Sequence, residues 1–207
     1  MAKANREYLL KNVRFSFLYC FTPFRGDDGK LNYCSHFIIE PTHPQFAEIV
    51  ATLKEVAKDF WGNEWEAVWA EMKAKNKICM KPGTAKGDIE GYKGNFFISG
   101  NKKTPFRVLE TRGGVNVELT VSDGRPRSGD YGNARVAFYA MAHPKGGKMI
   151  NCDILGIQYV RKGDPLGGGG RVAEVDEFGV EPSDADSAAP AASNVAKPAG
   201  AVDDLMG

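Results

Sequence analysis

The chain has 207 residues, with 27 lysines and arginines against 26 aspartates and glutamates, and four cysteines. That length fits one globular domain plus a tail and needs no disulfide staple; Cys20, Cys34, Cys79 and Cys152 show no CxxC spacing and point to free thiols in a reducing cytoplasm. No apolar core follows Met1 to Asn5 and no apolar run approaches the roughly 18 residues of a membrane span, so neither a secretory leader nor a membrane is expected.

The near-neutral total hides an asymmetry. Residues 172–207 hold eight acids (Glu174, Asp176, Glu177, Glu181, Asp184, Asp186, Asp203, Asp204) and one base, Lys197, a balance of −7; this leaves 26 basic and 18 acidic residues in the body, a balance of +8. A basic body beside a detachable acidic segment suits a polyanion-binding surface and a mimic of the polyanion, although such a segment also serves solubility.

From Tyr8 to Phe21, large residues alternate with smaller ones, and Val13, Phe15, Phe17, Tyr19 and Phe21 fall on one face of a strand. Five such side chains on a face read as core. A turn at Arg25 to Lys30 returns the chain as a second strand over 31–40. The Arg-Gly-Asp within that turn is a turn sequence with no adhesive role. Thr42 is placed as a helix N-cap with Gln45 in the capping-box position, and Phe46, Ile49, Val50, Leu53, Val56, Ala57 and Phe60 then form an apolar stripe that Gly62 ends. Asn63 with Glu66 caps a second helix striped by Trp65, Val68, Trp69 and Met72; tryptophans so spaced are packing residues.

Residues 76–94 are basic and glycine-rich and read as a mobile loop carrying Lys77, Lys81, Lys86, Tyr92 and Lys93. Short strands follow at 95–100, 106–110 and 115–121, the last two around Gly113-Gly114, and Arg125 and Arg127 lie on an exposed connection. Residues 131–161 then form a long β-hairpin around His143 to Lys148. Period-2 alternation sets Tyr131, Asn133, Arg135, Ala137, Tyr139 and Met141 on one face and Gly132, Ala134, Val136, Phe138 and Ala140 on the other. A face of tyrosines with an arginine can stack bases and hold phosphates, or simply cover a half-buried sheet. Gly167 to Gly170 read as a hinge releasing a low-complexity Pro/Ala/Ser segment that cannot offset its ordering entropy.

Catalysis finds no support. His36, His43 and His143 are scattered, Cys34 and His36 are the one close metal-type pair, and no GxSxG, HExxH or Walker pattern is present. No metal, cofactor or enzymatic activity is expected.

The opening Lys11 to Ser16, the return Lys30 to Ser35, and the closing segments Ser128 to Gly132 and Leu155 to Gly167 together resemble a family: phage-encoded OB-fold single-stranded DNA-binding proteins, long catalogued as a domain of unknown function. The resemblance spans residues 8–170. It implies a mainly β, five-stranded Greek-key barrel of OB type over 1–171, a helical insertion at about 43–75, and a disordered acidic tail over 172–207. It further implies sequence-independent binding of single strands in phage replication, recombination or repair, in the cytoplasm of a bacterial host. The expected phosphate contacts are Arg14, Lys81, Lys93, Lys102, Lys103, Arg107, Arg127 and Arg135, with Tyr92, Phe97, Tyr131 and Tyr139 for stacking. The tail end, Asp203, Asp204, Leu205 and Met206, resembles the partner-binding tails of bacterial and T7-type single-stranded DNA-binding proteins without their terminal aromatic residue; it is expected to compete with DNA and contact replication or recombination proteins. A homodimer or a cooperative filament on DNA stays open, as does a non-enzymatic phage interaction or structural protein whose basic body docks an acidic partner.

Overall fold

The opening segment forms one strand, β1 (Asn5–Arg25), in the computed structural model, which describes residues 5–26 and 29–166. This strand serves two neighbours in succession. Its first part, Asn5 to Arg14, pairs antiparallel with β7 (Tyr131–His143), and its second, Arg14 to Arg25, pairs antiparallel with β2 (Leu31–Ile39). Asn12 (φ 49°) and Phe17 (φ 47°) take the left-handed conformation, and the register slips beside each, between Leu10 and Val13 and between Ser16 and Tyr19. An extra residue at a bulge bends the strand and reverses which face the following side chains occupy.

That reversal corrects the first expectation. Val13 and Phe15 are buried, as alternation requires, but beyond the second bulge Phe17 and Tyr19 point outward and Cys20 takes the interior.

Between β2 and the next barrel strand lie α1 (Phe46–Trp61) and α2 (Trp65–Ala74). Ile49, Leu53, Val56 and Ala57 bury one face of α1, and Val68 and Met72 one face of α2, with Trp65 and Trp69 partly buried against the same core. The caps differ from expectation. The N-cap of α1 is Gln45, and its side chain instead spans to β1, accepting from the Lys11 amide (2.8 Å) and donating to the Leu9 carbonyl (3.0 Å) beside the Asn12 bulge. Unpaired backbone groups at the bulge compete successfully for the amide that would have closed a capping box. Asn63 lies in a 3₁₀ turn, Gly62–Glu64, and Glu64 precedes α2.

The chain continues through β3 (Met80–Pro82), β4 (Phe96–Lys102), the hairpin β5 (Arg107–Arg112) and β6 (Val115–Glu118), and the long hairpin of β7 and β8 (Gly147–Arg161). β4 pairs with β2, and it meets β8 in parallel at Asn101 opposite Asp153. The ring β1, β2, β4, β8, β7 is thereby closed, a five-stranded barrel with the connectivity of an OB fold. Closure requires close approach: a Cβ on Gly100 would lie 2.8 Å from Ile154, and one on Gly132 2.5 Å from Phe15. Phe15, Phe37, Ile98, Phe138 and Ile154 fill the interior.

The hairpin expected at 131–161 is present with its predicted faces, Ala134, Val136, Phe138 and Ala140 being buried. The basic segment 76–94 departs from expectation. Tyr92 is fully buried with Ile38 and Phe97, and a Cβ on Gly83 would collide with the Tyr92 carbonyl, so the segment is pinned across β2 and β4 rather than free. The glycine run at 167–170 and the acidic segment 172–207 lie outside the described residues.

Candidate nucleic-acid interface

The outer face of β1, β2 and β4 carries aromatic rings. The second bulge directs Phe17 and Tyr19 to this face, where Phe24 joins them; their exposures of 37, 36 and 44 % are high for aromatics of these sizes and leave ring surface free to stack. Tyr19 and Phe24 lie 5.2 Å apart between centroids, and Phe17 meets the His36 ring edge-on at 5.2 Å. Below, His36 lies 4.7 Å from Phe97 and shares a 2.7 Å hydrogen bond through Nδ1 with the Tyr92 hydroxyl. A cleft of about 350 Å³ runs beside Phe17 and Tyr19 to Ile89, Ser128 and Leu166.

Two lysines stand beside these rings. Lys86 places its ammonium 5.0 Å from the Phe17 ring centre and 5.9 Å from that of Phe97. Lys81, on the adjoining strand β3, is partly desolvated, and burial followed by repulsion from Lys86 and Lys77 lowers its pKa. The His36 imidazole is pushed down to about 3, chiefly by burial and then by the charges of Lys86 and Lys81, so it is neutral at physiological pH. Burial pushes the Tyr92 phenol up to about 12, keeping it protonated.

A second cationic element borders the first. Arg14 donates to the carbonyls of Gly129 (3.1 Å) and Asp164 (2.8 Å), which fixes its guanidinium 5.7 Å from the Tyr131 ring centre. Arg161 stacks on the same ring at 3.5 Å and forms no ion pair among the described residues. These side chains line a polar cleft of about 260 Å³ with Asn12, Gly91 and Asn95. The segments that carried the family resemblance meet here: the Leu166 amide donates to the Ser128 carbonyl, the Gly163 amide to the carboxylate of buried Asp130, and a Cβ on Gly129 would clash with Asp164.

The expected contacts are therefore divided by the fold. Arg14, Lys81 and Tyr131 lie on or beside this face, and exposed Lys93 follows Tyr92 in the segment that crosses it. Tyr92 (0 % exposed) and Phe97 (2 %) are corrected: a stacking residue must offer a ring face, and these two support the platform from beneath. Arg135 and Tyr139 belong elsewhere, along the N-terminal half of β1, and Arg135 donates through Nε (3.3 Å) and Nη2 (2.8 Å) to a single Glu7 carboxylate oxygen. Arg107 pairs with Glu118 at 3.3 Å, Arg125 is held by Glu110, and Arg127 is exposed while donating to the Gly124 carbonyl. Lys102 and Lys103 sit at the end of β4. Phe17, Tyr19, Phe24, Lys86 and Arg161, which this face presents, were not among the expected contacts. Uninterrupted alternation assigned the first two to the core, and only Phe24, between a proline and an arginine at a strand end, carried a local sign of exposure.

An OB barrel whose β1, β2 and β4 face presents aromatic rings among lysines and arginines defines an oligonucleotide-binding class of protein. The family model described as "Enterobacter phage Enc34, ssDNA-binding protein" matches residues 6–188, and the chain belongs to that family, one of non-enzymatic binding proteins. It is 35 % identical over 173 residues to "Putative protein p50" of Acyrthosiphon pisum secondary endosymbiont phage 1, covering 82 % of this chain and 90 % of that one. Its fold is similar to the single-stranded DNA-binding protein from bacteriophage Enc34 in complex with ssDNA (TM-score 0.63, 19 % identity, 78 and 89 % of the two chains). It is also similar to a C-terminal truncation of that protein (TM-score 0.64, 19 % identity, 80 and 94 %).

Proposed function

We propose that this chain binds single-stranded DNA without sequence preference on the outer face of β1, β2 and β4. Family membership supports the ligand, and the exposed row of Phe17, Tyr19 and Phe24 beside Lys86 is the observation that carries the site. Every base has a π-face, so stacking on these rings contributes about 1–3 kcal/mol per base whatever the sequence. Lys81, Lys86, Lys93, Arg14 and Arg161 neutralise the strand, releasing counterions; Lys102, Lys103 and Arg127 extend the positive border. Duplex DNA, with its bases stacked internally, gains only the charge term.

The acidic segment 172–207 competes with DNA for the basic body, and Asp203, Asp204, Leu205 and Met206 offer a contact to replication or recombination proteins once DNA has displaced it. The setting is phage replication, recombination or repair in the host cytoplasm. Titration of intrinsic fluorescence with poly-dT and with duplex at several salt concentrations tests the ligand. Strong quenching by poly-dT alone is expected; equal response to both sinks the single-strand reading. Deleting residues 172–207 should raise affinity most at low salt, and unchanged affinity there refutes competition.

A further inference from the structure

Away from this face, α1, α2, β3 and the start of β4 enclose a groove of about 310 Å³. Its walls are apolar, with Phe46 and Val50 from α1, Trp69 from α2, and Met80 and Phe96 from the sheet edge. Phe46 and Phe96 meet edge-on at 5.0 Å, so together they do not form a flat stacking surface. Lys54, Lys73 and Lys81 stand around it, none of them in an ion pair among the described residues, and no carboxylate lines it. The partial desolvation of Lys81, surrounded by other lysines, leaves a positive charge whose solvation is incomplete.

We propose that this groove docks an acidic peptide segment bearing adjacent large apolar side chains, supplied by a protein partner. The apolar side chains enter between Trp69, Val50 and Met80, and the carboxylates meet Lys54, Lys73 and Lys81. A nucleotide fits less well, because the groove offers aliphatic and edge-on aromatic walls and few groups able to hydrogen-bond a base edge. The shared Lys81, which sits between the groove and the DNA face, makes peptide and DNA partly exclusive.

The test uses the full chain and a fluorescein-labelled peptide of four glutamates followed by Trp-Leu, a sequence this chain does not contain, with one control carrying glutamines for the glutamates and another carrying Ser-Ser for Trp-Leu. Anisotropy should show saturable binding of the first peptide and at least about tenfold weaker binding of either control. Lys54 and Lys73 are exposed helix residues, so Lys54→Glu with Lys73→Glu should leave the melting temperature nearly unchanged. That variant should weaken the peptide about tenfold or more while changing poly-dT affinity by less than about twofold. A Val50→Trp variant, which fills the groove without altering charge, should also lose the peptide. Absence of saturable binding, indifference to both variants, or a parallel fall in poly-dT affinity with no peptide binding overturns the proposal. The last outcome would assign the groove to the DNA path, and none of these outcomes bears on whether Phe17 and Tyr19 contact DNA.

Discussion

Phe17 is the position where stability and binding separate. Its backbone is left-handed at φ 47°, a conformation that costs a residue with a side chain about 1–2 kcal/mol and costs glycine almost nothing. Its ring is only partly covered, with 37 % of the residue exposed, so the buried portion contributes about 1–2 kcal/mol of the 1.5–3 expected for full burial. Replacing Phe17 with glycine removes both terms together, and the net change in folding free energy should lie within about 1 kcal/mol of zero. Phe17→Ala loses the ring but keeps the strain, so it should be the less stable of the two variants by about 1 kcal/mol.

Binding should respond differently. Either variant deletes a ring that meets His36 and Lys86 at the centre of the aromatic row, and loss of one stacked base at about 1–3 kcal/mol predicts roughly 5- to 150-fold weaker binding of poly-dT. Urea midpoints and fluorescence titrations on wild type, Phe17→Gly and Phe17→Ala give both quantities from the same preparations. Affinity within twofold of wild type would place the DNA elsewhere. A glycine variant less stable than the alanine variant would show that the strain at the bulge is smaller than the roughly 0.4–1 kcal/mol of unfolded-state entropy that glycine adds, and would refute this prediction.

Three further outcomes follow from the same geometry. Arg135→Ala breaks a half-exposed pair with Glu7 and should change poly-dT affinity by less than about twofold, whereas Arg161→Ala should lower the slope of log affinity against log salt by about 0.7, the contribution of one phosphate on a single strand; the reverse result would restore the β7–β8 hairpin as the binding wall. Tyr92→Phe removes the hydroxyl partner of His36 Nδ1 and should destabilise the protein by about 1 kcal/mol in urea melts, with DNA binding reduced only through looser support of the platform. The pKa of His36 is about 3 when folded against an unfolded value near 6.5, so the unfolded state binds more protons between these limits; stability at this site is complete above about pH 6.5 and is lost as pH falls toward 3. A His36→Gln variant should show a flatter dependence of melting temperature on pH across that window, and identical profiles would refute the assignment.

What could be read from the chain and what could not divides along sequence distance. The β7–β8 hairpin was legible because alternation, a central turn and β-branched content agree within 31 residues, and the α1 stripe because four buried positions recur at helical spacing. The aromatic platform was hidden because β1 changes partners: Arg14 pairs with both Tyr131 and Ile38, and the bulges at Asn12 and Phe17 accompany that exchange. In Asn-Val-Arg-Phe-Ser-Phe only the asparagine is a residue type enriched in the left-handed region, and nothing local announces that conformation at the second phenylalanine. Arg135 looked available for phosphate because its partner, Glu7, is 128 residues away. Tyr92 looked mobile because the neighbours that bury it, Ile38 and Phe97, come from two other strands. The same long-range pairing that concealed the candidate face also builds it: β1 changes partners across two bulges, and the second turns Phe17 and Tyr19 out of the core onto a face bordered by lysines. A chain with unbroken alternation here would gain two core aromatics and lose the exposed rings, so the bulge at Phe17 is where this barrel gives up packing for the aromatic surface that the proposed function uses.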